Sequence, residues 1–480
     1  MVNNFLKNNL AILFGNGCFK IGGYIYKFLM VYLLNNYAYG ILTIISPFQN
    51  ILQTLAAGGL PPTISKYVSE YNATNQKENS YKLILVSIKI AILLGITFGL
   101  LMIFFIAPLL VKIYNNNSLL LPLQIIGLIV PFSAIVGVFR GIFQGTYEMT
   151  HILTSRAIEQ ITMILSAIVL IILGFSVVGA IFGSVIGFFS SLISVIIILH
   201  KYFLDIFQGM LKLKMDFKEE IKIAYKIISF SIPVILTAIS EIGIYSMTTT
   251  IMPLFITISE IGYFGIAEPI ARLPLMISNS LATTILPVTS EMFASKNTNI
   301  LKKYMFNALR YNLIIMVPIC LFIMIFSKEV LLVMFFTKPF YSKGANVLTI
   351  LTLGMFFYSI FAITSSMIQG AGKPKSSMYL LIGGFIQILL LSFIFIPYFG
   401  VNGGAISTTL TTATMTLISL IYLNKHISLK FNMIHYLKIL FAGIIIAIFL
   451  LILPKNLIGF YIGLIFLFPI YLITLMIIKG

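Results

Sequence analysis

The feature that most constrains this chain is a succession of apolar runs, most of them about twenty residues or longer, separated by short polar breaks. A helix needs about 20 apolar residues to cross the hydrocarbon core of a bilayer. Runs near 9–34, 41–69, 82–112, 119–147, 152–174 and 177–204 meet that length closely. After a polar break come 222–253, 259–293, 303–327, 342–371, 376–397 and 400–424, with a final pair near 435–453 and 457–478. The runs are continuous and do not alternate, which excludes a transmembrane barrel. Lipid must be the solvent for most of this surface: 59% of residues are hydrophobic and only 9% charged, against roughly 45–50% and 25% in a soluble domain. The expected class is an all-α polytopic membrane protein with about fourteen transmembrane helices.

A net charge of +18 would point to nucleic acid in a soluble protein. Here most basic residues fall in alternate short loops, where Lys and Arg mark the cytoplasmic side. The breaks Asn35–Gly40, Asn115–Ser118, Gly174–Val177 and Pro397–Asn402 carry none, whereas the alternate ones carry Lys66, Lys77, Lys212, Lys218, Lys302, Lys373, Lys425 and others. The expectation is a multi-pass protein of the cell membrane, with both termini cytoplasmic and no nucleic-acid partner. Cys18 and Cys320 lie far apart inside apolar runs, so neither a disulfide nor a metal site is expected. The first apolar run, Leu10–Leu34, is too long for a signal-peptide core and lacks a small-residue cleavage site, so no cleavable leader is expected.

The longest break, Lys201–Lys222, divides the first twelve runs into six and six. A shift of about 225 residues without a gap places Tyr39-Gly40-Ile41 on Phe264-Gly265-Ile266 and Pro62 on Pro287. It also places Gln144-Gly145 on Gln369-Gly370 and Gly179-Ala180-Ile181 on Gly404-Ala405-Ile406. Six helices is an even number, so the two halves would enter the membrane in the same direction, related by a pseudo-twofold along its normal. The expected organisation is an N-terminal six-helix lobe (1–206), a cytoplasmic linker (207–221), a second six-helix lobe (222–426) and two additional helices (427–480). Such symmetry predicts a cavity between the lobes near the bilayer midplane.

Polar and ionisable groups within the spans are the best pointers to function, because each is costly unless it meets water or a partner. In the first span Asn16, Lys20, Tyr24 and Lys27 share one face, and the second adds Gln49, Asn50 and Gln53. The seventh carries Glu241 and Tyr245, and the repeat register sets Lys20 opposite Tyr245. The eighth has Glu268, Arg272 and Asn279 at i, i+4 and i+11. Glu268 and Arg272 can equally satisfy each other as a structural pair. Lys20 and Lys27 have no acidic neighbour within their own helix, and two lysines suit a phosphate or pyrophosphate as point charges. Arg140, Gln144, Arg156 and Glu159 gather where the fourth and fifth spans meet. They read as a polar staple joining a tight hairpin, with a cytoplasmic gate as the alternative. Lys89 stands alone in the third span and is expected to snorkel. Gly179, Gly183 and Gly187 form a small-residue ridge for close packing. No Gly-rich phosphate loop, metal-ligand spacing or nucleophile motif is present, so neither a cofactor nor a catalytic role is expected.

The segments Ala57-Gly58-Gly59-Leu60-Pro61-Pro62-Thr63-Ile64-Ser65-Lys66-Tyr67, Phe139-Arg140-Gly141-Ile142-Phe143-Gln144-Gly145, Arg272-Leu273-Pro274-Leu275, Thr284-Ile285-Leu286-Pro287 and Ile368-Gln369-Gly370-Ala371-Gly372-Lys373-Pro374 resemble the polysaccharide flippases of the multidrug/oligosaccharidyl-lipid/polysaccharide exporter superfamily. The resemblance spans nearly the whole chain. It implies two six-helix lobes in a V, alternating access to a central cationic cavity, and a lipid-linked saccharide as the substrate. A coupling ion, Na+ or H+, and a monomeric protein are further expectations. Drug and cation antiporters of the superfamily typically hold a carboxylate in the first-lobe cavity, whereas the first helix here carries Lys20 and Lys27. Lipid II flippases are similar too, but their cavity is rich in arginine across helices one, two and eight, whereas this chain has no arginine in its first two helices and Pro269 stands where the helix-eight arginine aligns.

Overall fold

The computed structural model describes residues 17, 19, 21–212, 215–294, 298–427 and 433–477; Asn16, Cys18 and Lys20 lie outside the described residues. These are helical almost throughout, with no strand among them. Eight helical stretches are long and apolar enough to cross a membrane: 77–114, 117–145, 149–202, 217–254, 301–325, 339–370, 374–425 and 457–477. Two shorter apolar helices, 21–33 and 437–452, accompany them. The distribution of side chains is inverted relative to a soluble protein. Phe105, Ile172 and Met476 are 68%, 73% and 77% exposed, while Ser191, Thr412 and Ser419 are fully buried. Only an apolar solvent rewards that arrangement, so this is a multi-pass membrane protein.

The chain divides into two compact units, Met1–Ile242 and Gly243–Gly480. In the first, α1 (Ile21–Leu33) leads into α2 (Asn36–Ala57), whose N-terminus is capped by Asn35 Oδ1 accepting from Ala38 N at 2.8 Å. Gly58 and Gly59 both take left-handed φ values, 57° and 64°, and end the helix. α3 (Leu60–Ala73) restarts at once with Pro61 and Pro62 in its first turn, where the missing N–H groups would have no intrahelical acceptor. α4 (Lys77–Leu101) continues through a π-helical turn into α5 (Ala107–Tyr114). α6 (Leu120–Gly145) is the hub, packed by α2, α3, α4 and α8. α7 (Met149–Leu170) and α8 (Ser176–Tyr202) form a hairpin. A Cβ on Gly183 would lie 2.7 Å from that of Ala167, and one on Gly187 2.8 Å from that of Met163, so the glycine ridge does seat the two helices together. The short helix α9 (Leu204–Lys212) sets Gly209 against the Tyr81 ring. α10 (Phe217–Ile251) starts five residues before the apolar run that announces it. Its first turns are tied to α4. Lys82 bridges Glu78 and Glu219, and Lys89, expected to stand alone, meets both oxygens of Glu220 at 2.9 Å. The partner came from 131 residues away, beyond any helical periodicity.

In the second unit α11 (Ile258–Arg272) opens with a capping box between Thr257 and Glu260, and α12 (Leu275–Ala294) restarts after the break at Leu273-Pro274. α13 (Thr298–Ile325), α14 (Ser327–Met334) and α15 (Ala345–Gly370) follow, with α15 as the hub against α11, α12, α13 and α16. α16 (Pro374–Ile427) reverses at Gly400, so Gln387 and Thr414 meet across its two arms. α17 (Met433–Ile452) and α18 (Leu457–Ile477) pack on α13.

A shift of 225 carries α6 onto α15 at both ends and the start of α7 onto the start of α16. Elsewhere the register drifts. The caps Asn35 and Thr257 lie 222 positions apart, so Tyr39-Gly40-Ile41 and Phe264-Gly265-Ile266 are not equivalent by their distance from the helix start. The hairpin turns Ser176 (φ 47°, ψ −131°) and Gly400 (φ 57°, ψ −133°) share one conformation at a shift of 224. Gly179, packed on Leu170 and Ile171, therefore answers to Gly403, packed on Phe395 and Ile396, rather than to Gly404. The leading helices also differ in length, α2 having 22 residues and α11 15. Each is followed by a two-residue break, so α3 and α12 begin 215 positions apart, a slip that a comparison without gaps cannot represent.

Candidate functional site

Besides the Lys82 and Lys89 ion pairs, each unit holds one further ionic cluster, the first among α6, α7 and α8 and the second between α11 and α10. In the first unit Arg140 projects from the last turns of α6 toward α7 and α8. Its Nη2 donates to Glu159 Oε2 at 2.6 Å and to Ser191 Oγ at 3.1 Å, and its Nε donates to Ser155 Oγ at 3.0 Å. The side chains of Arg140 and Glu159 are 16% and 18% exposed. Three helices thus converge on one guanidinium, whose planar fork suits several acceptors at once. Arg156, exposed on α7, lies within electrostatic reach of both ions. Gln144, expected in the same group, has an exposed side chain and takes no part in this set of bonds.

In the second unit Arg272, the last residue of α11, reaches back one turn to Glu268 and donates to the backbone carbonyl of Tyr245 on α10 at 2.7 Å. Its guanidinium stacks 4.2 Å from the centroid of the Tyr245 ring, which in turn packs against Tyr358 at 4.9 Å. Both ions are largely buried, and Arg272 Nε is buried with no hydrogen-bond acceptor among the described residues. Glu268, Arg272 and Tyr245 are therefore brought together as neighbours. Asn279 is half-buried on α12.

Of the remaining expected residues, Tyr24 stacks on Phe28 at 6.4 Å and Lys27 is half-buried on the same helix. Gln49 and Gln53 are half-buried on α2, and Asn50 and Glu241 are exposed. Gln53 Nε2 is a second buried donor with no acceptor among the described residues. α1 is fixed on the α7–α8 hairpin by Gln160 Nε2, which donates to Phe19 O at 3.2 Å, and by Tyr26 Oη donating to Ala180 O at 3.2 Å.

One buried network has no counterpart in the sequence reading. Ser278 Oγ donates to Asn312 Oδ1 at 2.7 Å, and Asn312 Nδ2 donates to Ser359 Oγ at 3.1 Å, joining α12, α13 and α15. A lone amide in the middle of an apolar span was the available signal, since such a group must find partners across helices.

Comparison with known proteins places this architecture. The family profile described as "Polysaccharide biosynthesis protein" matches residues 5–293, and the one described as "MatE" matches 233–394. An uncharacterized membrane protein of Methanocaldococcus jannaschii is 25% identical, covering 88% of this chain and 99% of its own. The probable low-salt glycan biosynthesis flippase Agl15 of Haloferax volcanii is 24% identical over 48% of this chain and 50% of its own length. The lipid II flippase MurJ of Bacillus subtilis is 23% identical over 79% and 75%. Among solved structures, lipid II flippase MurJ in an inward closed conformation superposes with a TM-score of 0.72 at 17% identity, covering 95% of this chain and 97% of that one. An inward-facing multidrug resistance MATE family transporter gives 0.72 at 16%, covering 85% and 94%. Those likenesses establish the fold. Matched over well more than half of its length, the chain belongs to the polysaccharide biosynthesis protein family of the multidrug/oligosaccharidyl-lipid/polysaccharide exporter superfamily.

Proposed function

We propose that this protein is a flippase that carries a lipid-linked (polyprenyl-phosphate) oligosaccharide or polysaccharide repeat unit from the cytoplasmic to the outer leaflet by alternating access. Family membership supports the reading, as do the relatives named as a glycan biosynthesis flippase and a lipid II flippase. The observation that carries it is Arg272: a cation held within a membrane-spanning unit whose Nε, buried and without an acceptor among the described residues, remains able to donate. A buried donor left unpaired is costly, and a phosphate or saccharide oxygen would satisfy it. A saccharide cannot cross hydrocarbon unaided, because each unpaired hydroxyl costs several kcal/mol there. Polar side chains on otherwise apolar helices provide the substitute for water.

Residue roles follow from chemistry. Lys20 and Lys27 in the first unit and Arg272 in the second serve the phosphates. Gln49, Asn50, Gln53 and Asn279 serve the sugar, and Asn16, Tyr24, Glu241, Tyr245 and Glu268 complete the polar surfaces. The protein acts as a transporter and not an enzyme, works as a monomer in the cell membrane with cytoplasmic termini, and draws on Na+ or H+ for coupling. Lipid II is the second substrate reading, favoured by the similarity to MurJ over most of both chains.

Reconstitution in liposomes tests this. A fluorescent polyprenyl-diphosphate oligosaccharide is expected to lose its inner-leaflet protection in proteoliposomes, and Lys20→Ala to abolish the movement while leaving folded protein. Movement of lipid II alone would move the assignment to the second reading. Movement of neither lipid, by protein that remains folded, would end the proposal.

A further inference from the structure

The first unit contains a second concentration of basic side chains that no transport role has absorbed. At the predicted cytoplasmic end, α3, α4 and α10 enclose an open cleft of about 740 Å3 lined in part by Tyr67, Tyr71, Asn79, Lys222, Lys226 and Phe230. Lys66 Nζ lies 4.8 Å from the centroid of the Tyr67 ring and 4.4 Å from that of Phe230, and Lys226 Nζ lies 4.1 Å from the same Tyr67 ring. Lys226 also donates to Tyr71 Oη at 2.9 Å. Two ammonium groups sharing one ring sit well within a Debye length of each other, about 10 Å at 0.1 M salt.

The acids nearby form no ion pair with them among the described residues, although Glu70 on α3 lies within electrostatic reach of Lys226. Glu219, on the cleft wall, is engaged by Lys82, which also holds Glu78, and Glu220 is engaged by Lys89. Glu70 is exposed on α3 and forms no salt bridge among the described residues. Lys66, Lys222 and Lys226 likewise have no carboxylate partner among the described residues. Aromatic faces hold the ammonium groups in place, but a ring quadrupole removes none of their charge. Mutual repulsion between fixed lysines is relieved by an anion bearing more than one charge, and Tyr71 and Asn79 can add hydrogen bonds to its oxygens.

We propose that this cleft is a phosphate-binding site, taking a phosphomonoester or pyrophosphate group through Lys222 and Lys226 on its wall, with Lys66 adding positive charge from beside the Tyr67 and Phe230 rings. The group can come from an anionic lipid headgroup or from a free phosphate, and binding does not depend on the flippase reading. The chain has no tryptophan, so Phe230→Trp places a single indole in the cleft wall as a reporter; Tyr225→Trp on the same wall serves if that variant does not fold. The protein is placed in phosphatidylcholine nanodiscs and titrated with inorganic pyrophosphate. In parallel it is placed in discs carrying phosphatidic acid as a minor component. A saturable emission change is expected in at least one arm, weakened at least tenfold by Lys226→Gln and by Lys222→Gln. A change in the pyrophosphate arm assigns a free anion, and a change confined to phosphatidic acid assigns a headgroup. No change in either arm, or a change that the two lysine substitutions leave intact, overturns the proposal.

Discussion

The hairpin region of the first unit and its counterpart in the second share a backbone and solve it with different chemistry. α6 and α7 correspond to α15 and the first arm of α16 at a constant shift of 225. Arg140 then answers to Ser365 and Glu159 to Gly384. Where the first unit gathers Ser155, Glu159 and Ser191 around a guanidinium, the second joins Ser365 to Ser377 at 2.5 Å, with Gln369 donating to both serines. At Gly384, opposite the carboxylate position, the sulfur of Met415 closes in so tightly that a Cβ would collide with it. Hydroxyls and packing are therefore enough to hold this pair of helices. The first unit thus uses an ion pair where the second uses hydroxyls and packing.

The sharpest way to break the comparison is Arg140→Ala, which removes the bonded partner of Glu159 and leaves it only Arg156 within electrostatic reach. Removing one partner of a buried pair costs about 3–5 kcal/mol, so a large fall in thermal stability in detergent is expected. Arg140→Ala with Glu159→Ala should cost clearly less than the two single changes together, because neither member of the bonded pair is left buried without the other. If the double variant is as unstable as the sum, the pair is not acting as a pair. Next comes the turn. Gly400 and Ser176 share a conformation close to the first position of a type II′ turn, which Gly dominates, and about 1–3 kcal/mol of strain attends other residues there. Gly400→Ser should lower the unfolding temperature, whereas Ser176→Gly should raise it by a smaller amount. Equal and unchanged stabilities would dissolve the correspondence between the two turns. The smallest effect is expected from Ser365→Ala, where hydrogen bonds within a membrane average about 0.6 kcal/mol. A loss as large as that of Arg140→Ala would show that the neutral hairpin depends on its polar contacts just as heavily.

How far the residues foretold this varies by distance along the chain. Glu268 and Arg272 were legible because i,i+4 neighbours on a helix must meet, and the pair forms. The glycines at 179, 183 and 187 were legible for the same reason of fixed spacing. Arg140 and Glu159 could be placed near one hairpin, but not Ser191, which comes from a third helix 51 positions away. Lys89 read as solitary because its partner Glu220 lies on a helix no local pattern connects to it. The cleft around Tyr67 joins α3 to α10, 155 and more residues apart, and was invisible for that reason.

By itself the sequence determined what lipid imposes: long apolar helices and a small-residue ridge for close packing between two of them. Those follow from local hydrogen bonding and from transfer energies, which act residue by residue. Tertiary structure alone decided which charge meets which and where the repeat slips. Such pairings depend on distances across helices, and periodicity along a single helix carries no information about them.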